Sequence, residues 1–352
     1  MSSDTTLGAI LAQPALAALA RHTAVPAEVR SLMARAACRL ADSDMVIGDS
    51  FTPFAIAPDS KVRTQLPQPD VLHAIAALIE DVREEGFGPH AARFFGLLGA
   101  IMIDLSGTPE QAAQVRGWVD QGLTACFALT DAGGPLANDW RSVYDPQTGT
   151  ATIDKVWSMN ANRADFAIII LRQGRSMVLA STLIGPEDFA RAERSQCGEA
   201  FLDGHLPLGN VNLVLETCGP GQMMTRGGPI GAKVFLTLAR PWLIQALCAH
   251  LEWLERLGRV TPDATTRATL DFLAEAACNQ AALGYFDRFS EDQAMALKWI
   301  ANECFIHLVS SGLVAGKGDQ RDLMGFSKME GSSYRCFFEI YTRNKRMRDA
   351  AA

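Results

Sequence analysis

The chain has no excess of basic residues: 32 Lys and Arg stand against 39 Asp and Glu, a formal charge of −7 with a pI near 5.4. No excess of Lys and Arg is therefore available to neutralise a row of phosphates, and neither nucleic acid nor an anionic membrane is an expected partner. It also lacks paired cysteines. Cys38, Cys126, Cys197, Cys218, Cys248, Cys278, Cys304 and Cys336 are scattered, with no CxxC and no closely spaced His. That pattern argues against structural zinc and a disulfide framework, and for reduced thiols in cytoplasm. No uninterrupted apolar run approaches the roughly 18 residues of a membrane span. The opening MSSDTTLGAILAQPALAALARH lacks a basic start and is broken by Gln13, Pro14 and Arg21, so it reads as an amphipathic helix rather than a signal peptide. There is no internal repeat and no low-complexity tract.

What is present is enough to build a large core: 352 residues, 48% hydrophobic and 20% charged, the composition of a soluble globular chain of two or three domains. To about Leu123 the pattern is helical, as in DVLHAIAALIEDVREEGF, where apolar residues recur three and four apart. Thr108-Pro109-Glu110-Gln111 predicts a helix start, with Thr as cap, Pro at the first helical position and Gln three residues after the cap. After Ala125 the period shortens. ACFALTD, TATIDKVWSM, ADFAIIILR, SMVLAST and LPLGNVNLVLET are β-branched or alternating runs between Gly, Pro, Asp and Asn, which predicts an antiparallel sheet.

Helical periodicity returns near Gly231 in three long segments that predict a four-helix-bundle-like region. Pro241 is expected to kink the first of them or mark its true beginning. Ser290 and Gln293 are expected to cap the third. The expected architecture is α+β and multi-domain: an N-terminal α-helical domain over 1–123, a β domain over 124–225 and a C-terminal helical bundle over 226–352. The basic end, Arg343, Lys345, Arg346 and Arg348, is expected to be solvated.

Two strands carry chemistry-bearing patterns. CFALTDAGG ends a strand in Thr130-Asp131 and a Gly-rich turn, a place where backbone N–H groups and a hydroxyl can hold a polar heterocycle or phosphate. DKVWSMNANRADFAIIILR brings Trp157, whose flat face can cover a flat ring. Near the end, Arg321-Asp322 precede Glu330-Gly331-Ser332-Ser333, with the Glu nine positions beyond the Arg. A carboxylate desolvated there would have its pKa raised toward working pH, as suits a general base, and the Gly permits a sharp turn.

These motifs, in this order between helical regions, resemble the acyl-CoA dehydrogenase family. In that family a strand reading aliphatic-Thr-Glu-Pro and a later Lys-x-Trp-Ile-Thr-Asn strand bind FAD; Phe127, Leu129 and Thr130 match the first, and Lys155, Trp157 and Asn160 the second. Asp131 stands for the Glu and Ala132 for the Pro. Arg256 in LEWLERLGR resembles the Arg that reaches the FAD diphosphate of a neighbouring subunit. The Arg-Asp pair followed by Glu-Gly-Thr-Ser, whose Glu is the family's base, is matched by Arg321-Asp322 and Glu330-Gly331-Ser332-Ser333.

The departures are as specific as the matches. Met159 occupies the place of the hydroxyl that faces flavin N5, with Ser158 on what should be the opposite strand face. The turn has Pro135-Leu136-Ala137 where the family has Ser-Asp. The Gln-x-x-Gly-Gly motif that meets the neighbouring FAD is replaced around His307, Ser310 and Ser311. The Asp-x-x-Arg of the first bundle helix has no clear counterpart near Gly231.

The resemblance implies the acyl-CoA dehydrogenase fold, FAD as cofactor, and α,β-desaturation of an acyl thioester with Glu330 as base and hydride passing to the flavin. It implies flavin contacts from Phe127, Leu129, Thr130, Trp157, Ser158, Met159, Arg256, Ser310, Ser311, Ser332 and Ser333. Met329 and Gly331 would flank the substrate. The acyl group would be carried by CoA or by a carrier protein, electrons would leave to an electron-transfer flavoprotein or another acceptor, and the assembly would be a homodimer or homotetramer. The alternative is a catalytically degenerate subunit of a hetero-oligomer.

Overall fold

The computed structural model describes residues 3–42, 69–134, 137–175, 179–224, 231–283 and 286–351. Helices α1 (Ser3–Leu19), α2 (Ala27–Ala41), α3 (Pro69–Glu85), α4 (Ala91–Ser106) and α5 (Pro109–Asp120) precede the strands. β1 (Ala125–Ala128), β2 (Val143–Asp145), β3 (Thr150–Met159), β4 (Phe166–Gln173) and β5 (Leu179–Ile184) lead to a short α6 (Pro186–Phe189), then β6 (Glu193–Gln196), β7 (Leu208–Leu215) and β8 (Met223–Met224). Helices α7 (Gly231–Arg256), α8 (Ala264–Ala281), α9 (Arg288–Ser310), α10 (Lys317–Phe326) and α11 (Ser333–Ala351) complete the chain. The order is the expected one: helices, a sheet region, then a helix-rich region.

Packing groups the chain into two compact units that do not follow chain order. Residues 69–81 and 87–235 form one; 3–42, 82–86 and 236–351 form the other. The described part of the first 123 residues, expected as one helical domain, contributes to both units.

In the sheet unit the strands run β6-β7-β3-β2-β4-β5-β8, with β1 beside β4. The expected antiparallel sheet is mixed: β1 and β2 each pair with β4 in parallel, and the remaining pairs are antiparallel. β4 reads FAIIILRQ and is buried through Leu171, as a strand covered on both faces should be. Helix α4 comes close to the sheet because Gly99 has no side chain; a Cβ there would lie 3.2 Å from Ile168 Cδ1 and 3.3 Å from the Ala125 Cβ. The predicted start of α5 forms as read: Thr108 Oγ1 accepts from Gln111 N at 3.2 Å, and Gln111 Oε1 accepts from Thr108 N at 2.9 Å. The same Gln111 then donates through Nε2 to the Gly221 carbonyl at 2.8 Å, tying the helix start to the turn before β8.

In the other unit α9 is central, packed by α1, α2, α8, α10 and α11. Arg39 of α2 grips the buried Glu303 of α9 with 2.7 and 2.8 Å hydrogen bonds. Helix α7 runs through Pro241 rather than beginning there. Residues 233–256 are long and apolar enough to cross a membrane, but that stretch is largely buried in the protein, as a core helix is. The cap of α9 is shifted from its expected position. Asp287 is the N-cap and Ser290 is the third helical residue, the two exchanging hydrogen bonds of 2.7 and 2.8 Å. An ionised carboxylate is the stronger acceptor for the helix N-terminus. Arg343, expected to be solvated, is buried instead, with Nη1 2.5 Å from Asp292 Oδ1 and 3.1 Å from Glu291 Oε2. The side chains of Lys345, Arg346 and Arg348 lie outside the described residues.

Candidate functional site

The sheet unit brings Phe127, Leu129 and Thr130 against the end of β3. Asp131 bridges to Lys155, and Val156 N donates to the Thr130 carbonyl at 3.1 Å. Lys155 and Asp131 are fully buried as a pair, Nζ to Oδ2 3.2 Å, and Nζ also donates to the Leu129 carbonyl at 3.1 Å and faces the Trp140 ring at 4.1 Å. Burial pushes Lys155 down to about 8 against the pull of Asp131. Burial would raise Asp131, but hydrogen bonding from Ser142, the Lys155 charge and the backbone N–H groups of Gly133 and Arg141 bring it below its ordinary value. A buried ion pair of this kind gains stability only when its remaining lone pairs and protons are satisfied, and here they are. It fixes Thr130, exposed at the strand end, relative to β3. Phe127 is buried against Phe235, ring centroids 4.6 Å apart. Of the Gly-rich turn's Pro135 and Leu136, both lie outside the described residues.

Beyond Lys155 the pairing of β3 with β7 slips by a bulge that ends at Ser158. Trp157 sits in the bulge at φ +56° and is 61% exposed. A bulky residue in the left-handed region costs on the order of 1–3 kcal/mol and persists where the surroundings impose it. The consequence is a broad indole face held out from the sheet. The expected alternation of Ser158 and Met159 is lost, because both side chains are buried next to the bulge. Ser158 Oγ and both side-chain polar atoms of Asn160 are buried without a hydrogen-bond partner among the described residues.

The other unit builds the turn that carries Glu330, between α10 and α11. Glu330 has φ +54° and Gly331 φ +122°. The glycine is favoured by its φ, and a Cβ there would lie 3.2 Å from Cys336 Sγ, a tight contact. Three buried polar side chains hold the turn through its carbonyls. Arg240 Nε donates to the Glu330 oxygen at 3.0 Å, Asn302 Nδ2 to that of Gly331 at 2.9 Å, and Lys298 Nζ to that of Phe326 at 3.0 Å. The Glu330 carboxylate itself is half-buried and accepts no hydrogen bond among the described residues. Burial raises its pKa, while the charges of Arg240, Lys298 and Arg335 pull it back. Met329 N donates to the Phe326 carbonyl at 3.2 Å, and Ser332 Oγ accepts from Arg335 N at 3.4 Å. Ser333 is buried, its hydroxyl unpartnered among the described residues. The Arg321-Asp322 pair bridges at 3.1 Å on α10, with Asp322 buried.

Other expected site residues lie away from this turn. Arg256 ends α7, about 24 Å of helix beyond Arg240 at 1.5 Å per residue. Its guanidinium donates to the Arg83 carbonyl and lies 3.6 Å from Glu84 Oε2. Ser310 and Ser311 are exposed at the C-terminal end of α9, where their hydroxyls meet the His307 carbonyl and Nδ1, each at 3.3 Å.

Arg240, Lys298 and Asn302 were not singled out in the sequence, which offered no clear Arg on the first bundle helix; Arg240 of α7 is an Arg that binds the Glu330 turn. The signal was available in FLTLARPWLIQALC, where it is the one charge in an apolar stretch, and in ALKWIANECF, which places Lys298 and Asn302 four apart on the helix face that is buried.

No protein-family model matches the sequence, and no curated protein matches it. Solved structures do. A glutaryl-CoA dehydrogenase from Mycobacterium smegmatis, in complex with FADH2, is 14% identical with a TM-score of 0.53, covering 79% of this chain and 95% of its own. A prolyl acyl carrier protein oxidase is 12% identical with a TM-score of 0.54 over 98% of this chain and 99% of its own. A nitroalkane oxidase crystallized with 1-nitrohexane is 13% identical with a TM-score of 0.58 over 97% and 95%. With helices, sheet and helices in the same order, the chain has the acyl-CoA dehydrogenase fold, in a sequence far diverged from these structures.

Proposed function

We propose that this chain is an FAD-dependent acyl thioester dehydrogenase in which Glu330 removes the proton α to the thioester carbonyl. The observation that carries the reading is Glu330 itself: a carboxylate with no hydrogen-bond partner among the described residues, on a left-handed turn that three buried side chains hold by its carbonyls. A structural Glu has no need of such a setting. Desolvation raises its proton affinity, as suits a general base, and backbone N–H groups of the turn would polarise the thioester carbonyl.

The residues at the end of β3 fit a flavin. Trp157 offers an exposed flat face, Thr130 an exposed position on a strand end locked by the Asp131–Lys155 pair, and Ser158 and Asn160 hold polar atoms unsatisfied among the described residues. Bound FAD would supply the two-electron acceptor for the β-carbon. Phe127, Leu129 and Met159 would pack around it. Arg256, Ser310 and Ser311, at exposed helix ends, would serve the cofactor of a neighbouring subunit in a homodimer or homotetramer, and Ser332 and Ser333 would line the base turn with Met329 and Gly331.

The acyl group would arrive on CoA or on a carrier protein; the full-length likeness to a prolyl acyl carrier protein oxidase supports the second handle. An electron-transfer flavoprotein or another acceptor would take the electrons in cytoplasm, a compartment that suits eight free thiols. The purified chain is expected to be yellow with oxidised-flavin absorbance, and to bleach anaerobically with an acyl-CoA or the same acyl group on a carrier protein. Colourless protein that takes up no FAD would instead support a scaffold without turnover, which Met159 in the hydroxyl's place and the replaced Gly-Gly motif favour.

A further inference from the structure

Lys298 is fully buried in α9, in the middle of a helix packed on several sides. A buried ammonium is a standing cost, and a Met or Leu of similar volume would remove it. Both acceptors of its Nζ lead to the turn that carries Glu330. It donates to the Phe326 carbonyl at 3.0 Å and to Asn302 Oδ1, and Asn302 passes the interaction on to the Gly331 carbonyl at 2.9 Å. One side of α9 therefore holds the turn 327–331 at both ends, the last carbonyl of α10 and the residue after Glu330.

We propose that Lys298 is a positioning residue for Glu330, fixing its turn through Phe326 and Asn302 and facing it with a buried positive charge. The proposal rests on Glu330 being the base. The charged groups facing Glu330 are Arg240 from α7, Lys298 from α9 and Arg335 from α11; those facing Lys298 are Arg240, Cys336 from α11 and Glu330. Glu303, on the same helix as Lys298, is committed to Arg39. Arg240 binds the turn by the Glu330 carbonyl, so Lys298 is the second positive charge and the only one of the three basic groups that is fully enclosed. Burial brings its own pKa down to about 7, which leaves a substantial charged fraction at neutral pH to act on Glu330.

The test is the titration of Glu330 in full-length protein labelled with ¹³C at glutamate carboxyls, its signal identified as the one absent from Glu330→Gln. In Lys298→Met the Glu330 midpoint is expected to move to higher pH, because a positive neighbour is gone. In Lys298→Arg it should stay near the wild-type value. Asn302→Ala, which keeps the ammonium, should leave the midpoint near wild type while amides of 327–331 exchange faster with solvent. An unchanged midpoint in Lys298→Met, or an unchanged exchange rate in Asn302→Ala, would overturn the proposal. Should Lys298→Met not fold, a Lys298→Arg midpoint moved as far as the raised limit of an unpaired buried Glu would overturn it equally. None of these readings needs flavin or substrate, so failure of the dehydrogenase reading shows separately, as wild-type protein that does not bleach with acyl-CoA or acyl carrier protein.

Discussion

At the scale of single residues each of the two units holds side chains in costly settings. Glu330 and Trp157 each occupy the left-handed region, where only Gly is at ease, and Lys298 and Lys155 are ammonium groups without solvent. Arg240 is the residue that makes the first of these affordable, since its Nε ends on the Glu330 carbonyl. Arg240→Met leaves that carbonyl unpaired and removes a positive charge beside Glu330. Chemical denaturation is expected to show a loss of about 1–3 kcal/mol, together with a Glu330 titration moved to higher pH. A variant as stable as wild type would mean that the turn is held without Arg240. Trp157→Ala, by contrast, removes an exposed side chain from a strained position. Stability is expected to hold or rise, while FAD affinity falls; an equilibrium binding titration of FAD to the variant separates the two.

At the scale of elements, sequence legibility followed the reach of the interactions involved. The α5 start was readable because Thr108, Pro109 and Gln111 are neighbours in the chain and need nothing else. The α9 start was misread by one cap because Asp287 precedes the Ser that looked like the cap, and the exchange of Asp287 with Ser290 depends on which acceptor is stronger. Asp287→Ala is expected to cost about 1 kcal/mol, and Gln293→Ala much less, read as shifts of the urea midpoint. Equal effects would restore the Ser290–Gln293 cap. Strand positions were legible from β-branched runs, but the parallel pairing of β1 and β2 with β4 was not, because partner choice depends on chain crossings that alternation does not encode. The bulge at Trp157 likewise broke the face assignment of Ser158 and Met159, an effect of one extra residue in the ladder.

At the scale of the whole molecule, the order of helices, sheet and helices was legible, whereas the sharing of the first 123 residues between two compact units was not. The Arg39–Glu303 contact spans most of the chain, and no local pattern announces it. The titratable groups give the molecule a stability profile whose sign can be worked out. Lys155 and Lys298 lose protons in the folded protein near 8 and 7, well before they would in the unfolded chain near 10.5. The unfolded state binds more protons in that window, so their contribution makes stability rise with pH from about 7 toward 10.5. Asp263, held down to about 2 mainly by hydrogen bonds from Thr266 and His307 that overcome burial, acts at the other end. Its contribution is present above about 3.8 and is lost as pH falls toward 2. Thermal melts of Lys298→Met are expected to show a flatter rise of Tm between pH 7 and 9 than wild type, and Asp263→Asn a flatter fall below pH 4.

The account as a whole stands on Glu330 as the base. Glu330→Gln keeps the size of the side chain and the carbonyl held by Arg240, and removes only the proton acceptor. Anaerobic mixing of the FAD-loaded variant with an acyl thioester that bleaches the wild type is the measurement that decides. The account expects wild-type flavin content and a bleaching rate lower by about 10²–10⁴-fold; a Glu330→Gln protein that bleaches at the wild-type rate would contradict it.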